Sequence, residues 1–116
     1  GIEQADLVFE GETLLTVTDS DRLEDIYNLF DTAEILSSEP KTHSIGVNLH
    51  LVLTFQGGET VTIELDPDND ICRMDGSYIH YGRYDEPSYI HALWQYLDIP
   101  AWPDVIYAKY PGAYRS

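Results

Sequence analysis

The sequence predicts an α+β fold: a two-layer domain in which an antiparallel β-meander of four to five strands is covered by two helices. The expected order is β-α-β-β-β-β-α, followed by an irregular aromatic tail. Three observations carry this. Between residues 45 and 65 apolar side chains alternate with small or polar ones, first Ile45, Val47, Leu49, Leu51, Leu53 and Phe55, then Val61, Ile63 and Leu65. Period-two alternation marks strands with one face on a core and one in water. Leu23, Ile26, Tyr27, Phe30 and Ala33, and again Ile90, Leu93, Trp94 and Leu97, recur at helical spacing. Asp75-Gly76 is a dipeptide favoured in type I′ hairpin turns.

Taken in order, residues 1–12 are polar and acidic around Leu7, Val8 and Phe9, and are expected to be frayed, ending at most in an edge strand. Residues 13–18 (TLLTVT) are rich in β-branched side chains and read as the first strand. Thr18, Asp19, Ser20 and Asp21 offer capping oxygens for a helix over residues 20–32. Residues 37–44 form a loop that Pro40 closes to helix. The long hairpin follows, and parity constrains its turn. Residues directly opposite each other in an antiparallel pair share a face, so only an odd-length loop aligns the two apolar sets. A three-residue loop at Gly57, Gly58 and Glu59 is expected, pairing Phe55 with Val61, Leu53 with Ile63 and Leu51 with Leu65. Residues 71–74 and 77–84 form a second hairpin in which Asp75-Gly76 pairs Met74 with Ser77 and Cys72 with Ile79. Pro87 suits the first turn of a second helix over residues 87–97. Residues 101–116 carry Trp102, Tyr107, Tyr110 and Tyr114 among Pro103, Pro111 and Gly112, and are expected to strap over the body with a short strand at residues 105–108. The element order resembles the cystatin-like arrangement, in which a curled meander grips a helix; that likeness of layout implies no function.

A chain of 116 residues makes one domain able to bury a single core. Its 21 acidic residues face 6 basic ones, a net charge of −15, and in the first 40 residues Arg22 is the only base. Such a field repels phosphates, which argues against nucleic acid and anionic lipid as partners; it attracts a basic protein, a cationic peptide or a divalent metal. Solubility alone also accounts for it. The one cysteine, Cys72, excludes an internal disulfide and a multi-cysteine metal site; beside Ile71 and Met74 it reads as a buried, inert thiol. No apolar run approaches the ~18 residues of a membrane span, so direct membrane insertion is not expected. The chain begins Gly-Ile-Glu-Gln rather than with Met, which suggests a mature fragment after removal of a leader or anchor.

The progression Leu14-Leu-Thr-Val-Thr-Asp-Ser-Asp, then Leu23-x-x-Ile-Tyr-x-Leu-Phe, then a hairpin strand, Gly57-Gly58 and Thr60-Val-Thr-Ile resembles small uncharacterised extracytoplasmic domains of Gram-positive bacteria, found in lipoproteins or attached to membrane sensors. The likeness spans residues 13–65. It implies secretion or membrane tethering and the sensing of a ligand or partner, and brings no catalytic residues.

Asp66, Asp68 and Asp70 alternate as oxygen ligands do in a calcium loop, but Ile71 replaces the turn glycine and Ser77 the bidentate glutamate. A solvated turn is the simpler account. His43, His50, His80 and His91 show no pair at zinc spacing, although His50 and His80 both fall on expected strands. The chain has no Gly-x-Ser-x-Gly and no phosphate-cradling glycine loop, so neither an enzyme nor a cofactor is expected. The aromatic set is the more informative. Tyr78, His80 and Tyr84 recur on one expected strand, and Tyr89 and Tyr96 sit off the main stripe of the second helix. Tyrosine suits sites that are half buried and half wet, at a core rim or at an interface with a protein, peptide or glycan. The leading expectation is a non-enzymatic extracytoplasmic binding or sensing domain that uses an exposed sheet face and this aromatic rim. The alternative is an acidic inhibitor or immunity-type protein that neutralises a basic enzyme.

Overall fold

The structure, a computed structural model, describes residues 1–31, 33–35, 49–66, 71–74, 77–81 and 104–109. Among them are β1 (Ile2–Phe9), β2 (Glu12–Val17), α1 (Ser20–Asp31), β3 (Ala33–Ile35), β4 (Leu49–Phe55), β5 (Thr60–Asp66), β6 (Ile71–Met74), β7 (Ser77–Tyr81) and α2 (Asp104–Lys109). Every strand pairing is antiparallel. The sheet runs β2-β1-β4-β5-β6, extended by β7 and β3. An antiparallel sheet with helices, the α+β class, is what the alternation and the helical spacing predict.

The order corrects the expected meander. β4 to β7 follow one another as neighbours, and β1 and β2 form a hairpin of their own; but β1 is inserted beside β4 with β2 outside it, and the short β3 forms the opposite edge. Residues 1–12 are therefore not a frayed start. Ala5, Leu7 and Phe9 are buried while Gln4, Asp6 and Val8 are half-exposed, a period-two pattern stabilised by ladders on both sides. β1 and β2 meet in a two-residue turn, with Phe9 opposite Glu12. Glu10 (φ 51°) and Gly11 (φ 81°) both adopt left-handed backbone, the geometry a tight hairpin needs to match strand twist.

Asp19 caps α1. Arg22 N donates to Asp19 Oδ2 at 3.0 Å, satisfying an amide that the first turn leaves without a helical partner, and Leu23 N makes the first helical bond, to the Asp19 carbonyl at 2.9 Å. Leu23, Ile26, Leu29 and Phe30 point inward. Tyr27, expected in the apolar stripe, is 38% exposed, and Ala33 belongs to β3 rather than to the helix.

The β4–β5 loop has three residues, as parity requires, but they are Gln56, Gly57 and Gly58 rather than Gly57 to Glu59. Phe55 N donates to the Glu59 carbonyl at 2.8 Å and Gly58 N to the Phe55 carbonyl at 3.0 Å. Gly57 (φ 105°) and Gly58 (φ 91°) supply the positive φ values. Leu53 thus faces Val61, and Leu51 faces Ile63 instead of Leu65. In the second hairpin Met74 pairs with Ser77 and Cys72 with Ile79, as Asp75-Gly76 predicts.

One cluster joins Ala5, Leu7, Phe9 and Val17 to Leu49, Leu51, Leu53, Ile63, Leu65 and Cys72, to the inward face of α1, and to Ile106 of α2. The expected strand at residues 105–108 is instead α2, whose ends carry Asp104 and Lys109, the charges that suit a helix dipole. Ile106 is fully buried. Lys109 Nζ lies 2.6 Å from Glu10 Oε1 and 5.7 Å from the centre of the Phe9 ring, holding α2 beside the β1–β2 turn. The helix expected over residues 87–97 and the first part of the long hairpin strand, residues 45–48, lie outside the described residues.

Candidate functional site

The face of the sheet turned away from α1 carries an ordered set of polar side chains. Cross-strand partners share a face, so the register sets out two rows. Thr16, Asp6, Val52 and Thr62 form one across β2, β1, β4 and β5; Val8, His50, Glu64 and Arg73 form the next across β1, β4, β5 and β6. Asp6, Val8, His50, Val52, Glu64 and Arg73 are each half-exposed.

Two carboxylates on this face are pinned. Asp6 accepts from Gln4 Nε2 at 2.8 Å on one oxygen and from Thr16 Oγ1 on the other. Glu64 accepts from Arg73 through both oxygens, Nη2 reaching Oε1 at 2.7 Å and Nε reaching Oε2, the fork geometry that makes guanidinium–carboxylate pairs directional. The Arg73 hydrogen bonds hold the Glu64 carboxyl below its ordinary value of 4.5; partial burial opposes this, and the charges of Arg73 and then His50 add to the lowering. Glu64 is therefore a fixed anion near neutrality, whereas a general acid needs a raised pKa. β4 lies between the strands that carry Asp6 and Glu64.

On the inner side, a cavity of about 160 Å³ opens where the last turn of α1 meets β4, β5 and β6. Tyr27, Phe30 and Asp31 line it from the helix, and Leu53, Phe55, Val61 and Met74 from the sheet. The Tyr27 and Phe55 rings meet edge to face, 6.4 Å between centroids at 79°.

The residues singled out in the sequence are distributed as follows. Tyr78 lies on β7 opposite Arg73, and His80 on β7 opposite Glu34 of β3. Tyr84, Tyr89 and Tyr96 lie outside the described residues. Asp66 ends β5 opposite Ile71; Asp68 and Asp70 lie outside the described residues. His50 and His80 are separated by β5 and β6, so the strand positions do not bring them together. Among the described residues no three His, Cys, Asp or Glu side chains gather as a metal site, and no helix is long and apolar enough to cross a membrane.

Sequence reasoning missed the Asp6 and Glu64 clusters. Glu64 and Arg73 each occupy the polar phase of an alternating strand, which is the signal that could have found them. The two-residue difference in hairpin register would set His50 opposite Asp66 rather than Glu64, which hid the second row. Family models, curated proteins and solved structures were all searched, and none matches this chain.

Proposed function

We propose that this domain is a non-enzymatic binding or sensing module acting outside the cytoplasm, with the outer face of its sheet as the contact surface. The observation that supports this reading most is the pinning of Asp6 and Glu64 around half-exposed Val8 and Val52. Side chains held in place before a partner arrives lose little freedom on binding, so such a face is pre-organised. The same cross-strand pairs also stabilise the sheet, and the test must separate the two roles. In this reading Tyr78 and His80, with Tyr84, Tyr89 and Tyr96, extend the surface as an aromatic rim. The finer two-layer arrangement, with two helices covering the sheet, belongs to the same proposal, as does the resemblance to Gram-positive lipoprotein and membrane-sensor domains.

A second reading is an acidic inhibitor of a basic enzyme. It draws on α1, whose outward side presents exposed Asp21, Glu24, Asp25 and Asp31 with no basic residue in its last turn. Like charges three and four residues apart weaken a helix, a cost that a cationic partner would offset.

The experiment uses immobilised wild type and a Val52→Arg variant, both checked for fold by circular dichroism and offered the envelope proteins and glycans of the source cells. Retention of one species by wild type and its loss from Val52→Arg, unaffected by salt, is expected. Equal retention by both proteins refutes the outer face as the contact surface. A basic enzyme released from both by salt supports the inhibitor reading, because screening acts on exposed charge.

A further inference from the structure

We infer that the groove at the end of α1 is a docking site for a cationic peptide, one that presents an apolar side chain flanked by a lysine or arginine. The inference rests on the reading of the chain as a binding domain but uses a different surface from the outer face. Two observations converge on the occupant.

The first is size and lining. A cavity of about 160 Å³ walled by Leu53, Phe55, Val61, Met74, Tyr27 and Phe30 is the right volume for one aliphatic or aromatic side chain. An apolar cavity of roughly 150 Å³ accepts a benzene-sized guest. Tyr27 at its mouth is 38% exposed, so part of the wall is wetted until something covers it.

The second is charge. Asp31 is exposed, lines the groove, and is the last residue of α1. A helix C-terminus already carries a partial negative charge, which a basic side chain in the final turn usually complements. Here that turn has no basic residue, and the carboxylate adds to the helix end instead of opposing it. An apolar pocket with a doubly negative lip selects a guest that combines an apolar side chain with an adjacent cation. The net charge of −15 acts in the same sense at longer range.

The test titrates the isotope-labelled protein with three capped tripeptides, Lys-Phe-Lys, Lys-Ala-Lys and Glu-Phe-Glu. Binding is read from the methyl signals of Leu53, Val61 and Met74. Lys-Phe-Lys is expected to shift these methyls in the millimolar range. Lys-Ala-Lys should bind at least roughly tenfold more weakly for want of the buried ring. Asp31→Asn should weaken Lys-Phe-Lys about threefold to fivefold, the size of one exposed ion pair. Val61→Phe, which fills the groove, should abolish the methyl shifts while the rest of the spectrum keeps its dispersion.

Three outcomes overturn the proposal. Equal binding of Glu-Phe-Glu would make the groove a charge-blind apolar pocket. Methyl shifts that appear on raising the protein concentration alone would assign the groove to a second copy of the chain. Shifts confined to Val8, Val52 and the other outer-face residues would leave the outer-face reading standing and remove this one.

Discussion

Replacing Glu10 by Asn tests the β1–β2 turn, and the expected gain is a balance of two effects. Glu10 sits at φ 51°, where a side chain with a Cβ costs about 1 kcal/mol or more. Asn tolerates this region through local hydrogen bonding, and Asn-Gly is the preferred type I′ pair, so relief of about 0.5–1 kcal/mol is expected. Against it stands the loss of the Glu10–Lys109 ion pair, with side chains 52% and 42% exposed. After solvent screening such a pair contributes about 0.5 kcal/mol or less. Glu10→Asn should therefore be modestly more stable in low salt, and the full relief should emerge in about 0.5 M salt, where the wild-type pair is screened. In thermal unfolding this is a rise of roughly 2–5 °C for a domain of this size. Because the chain is so acidic, deleting any carboxylate can stabilise by reducing self-repulsion. Glu10→Gln removes the same charge but keeps the left-handed strain, and so separates the causes. The reasoning is refuted if Glu10→Gln gains as much as Glu10→Asn, or if Glu10→Asn is less stable than wild type at high salt.

Three further outcomes are expected. Asp19→Ala removes the acceptor for the Arg22 amide and should cost about 1 kcal/mol in urea unfolding, with faster amide exchange confined to the first turn of α1. Ile106→Ala empties a fully buried site and should cost about 2–4 kcal/mol; a loss below about 0.5 kcal/mol would show that α2 does not contribute to the core. Arg73→Met removes the hydrogen bonds and charge that lower Glu64. A carboxyl depressed in the folded state contributes stability above its ordinary pKa, and that contribution is lost as pH falls through the lower folded value. The difference between wild type and Arg73→Met should accordingly be present at pH 7 and shrink as the pH drops below 4.5. A gap that is constant with pH in denaturation curves would refute the coupling.

The two hairpins show how much strand pairing a sequence discloses. Parity alone demanded an odd β4–β5 loop, and the loop is odd, but parity cannot distinguish registers that differ by two residues, because both leave every side chain on the same face. The glycine pair decided between them, since Gly57 and Gly58 take the loop positions with positive φ. The Asp75-Gly76 hairpin was fully legible because its turn chemistry admits one register. β1 was obscured by its charges. Glu3 and Asp6 interrupt an apolar set that includes the weak signal Ala5, and only pairing with both β2 and β4 reveals it as a strand. Ala33–Ile35 is too short for periodicity to register. In α2 the β-branched Val105 and Ile106 pointed to a strand, while the dipole-matched ends and the burial of Ile106 prevail in the fold. The two pinned carboxylates required correct register across several strands, which no local pattern supplies.

The pairing of β1 on both sides has a consequence for how the chain folds. Its partners on one side are in the hairpin that follows immediately, whereas those on the other run from Leu49 to Phe55, roughly forty to fifty residues downstream. Contacts at such separation must overcome loop-closure entropy before they contribute, which slows folding. During synthesis the β1–β2 hairpin and α1 emerge before β4, with one edge of β1 unsatisfied until β4 has left the ribosome. For that interval the nascent chain carries an open strand edge bearing Leu7 and Phe9, the kind of edge that recruits other chains. The acidic side chains of the first forty residues repel like chains, which opposes such recruitment until β4 arrives.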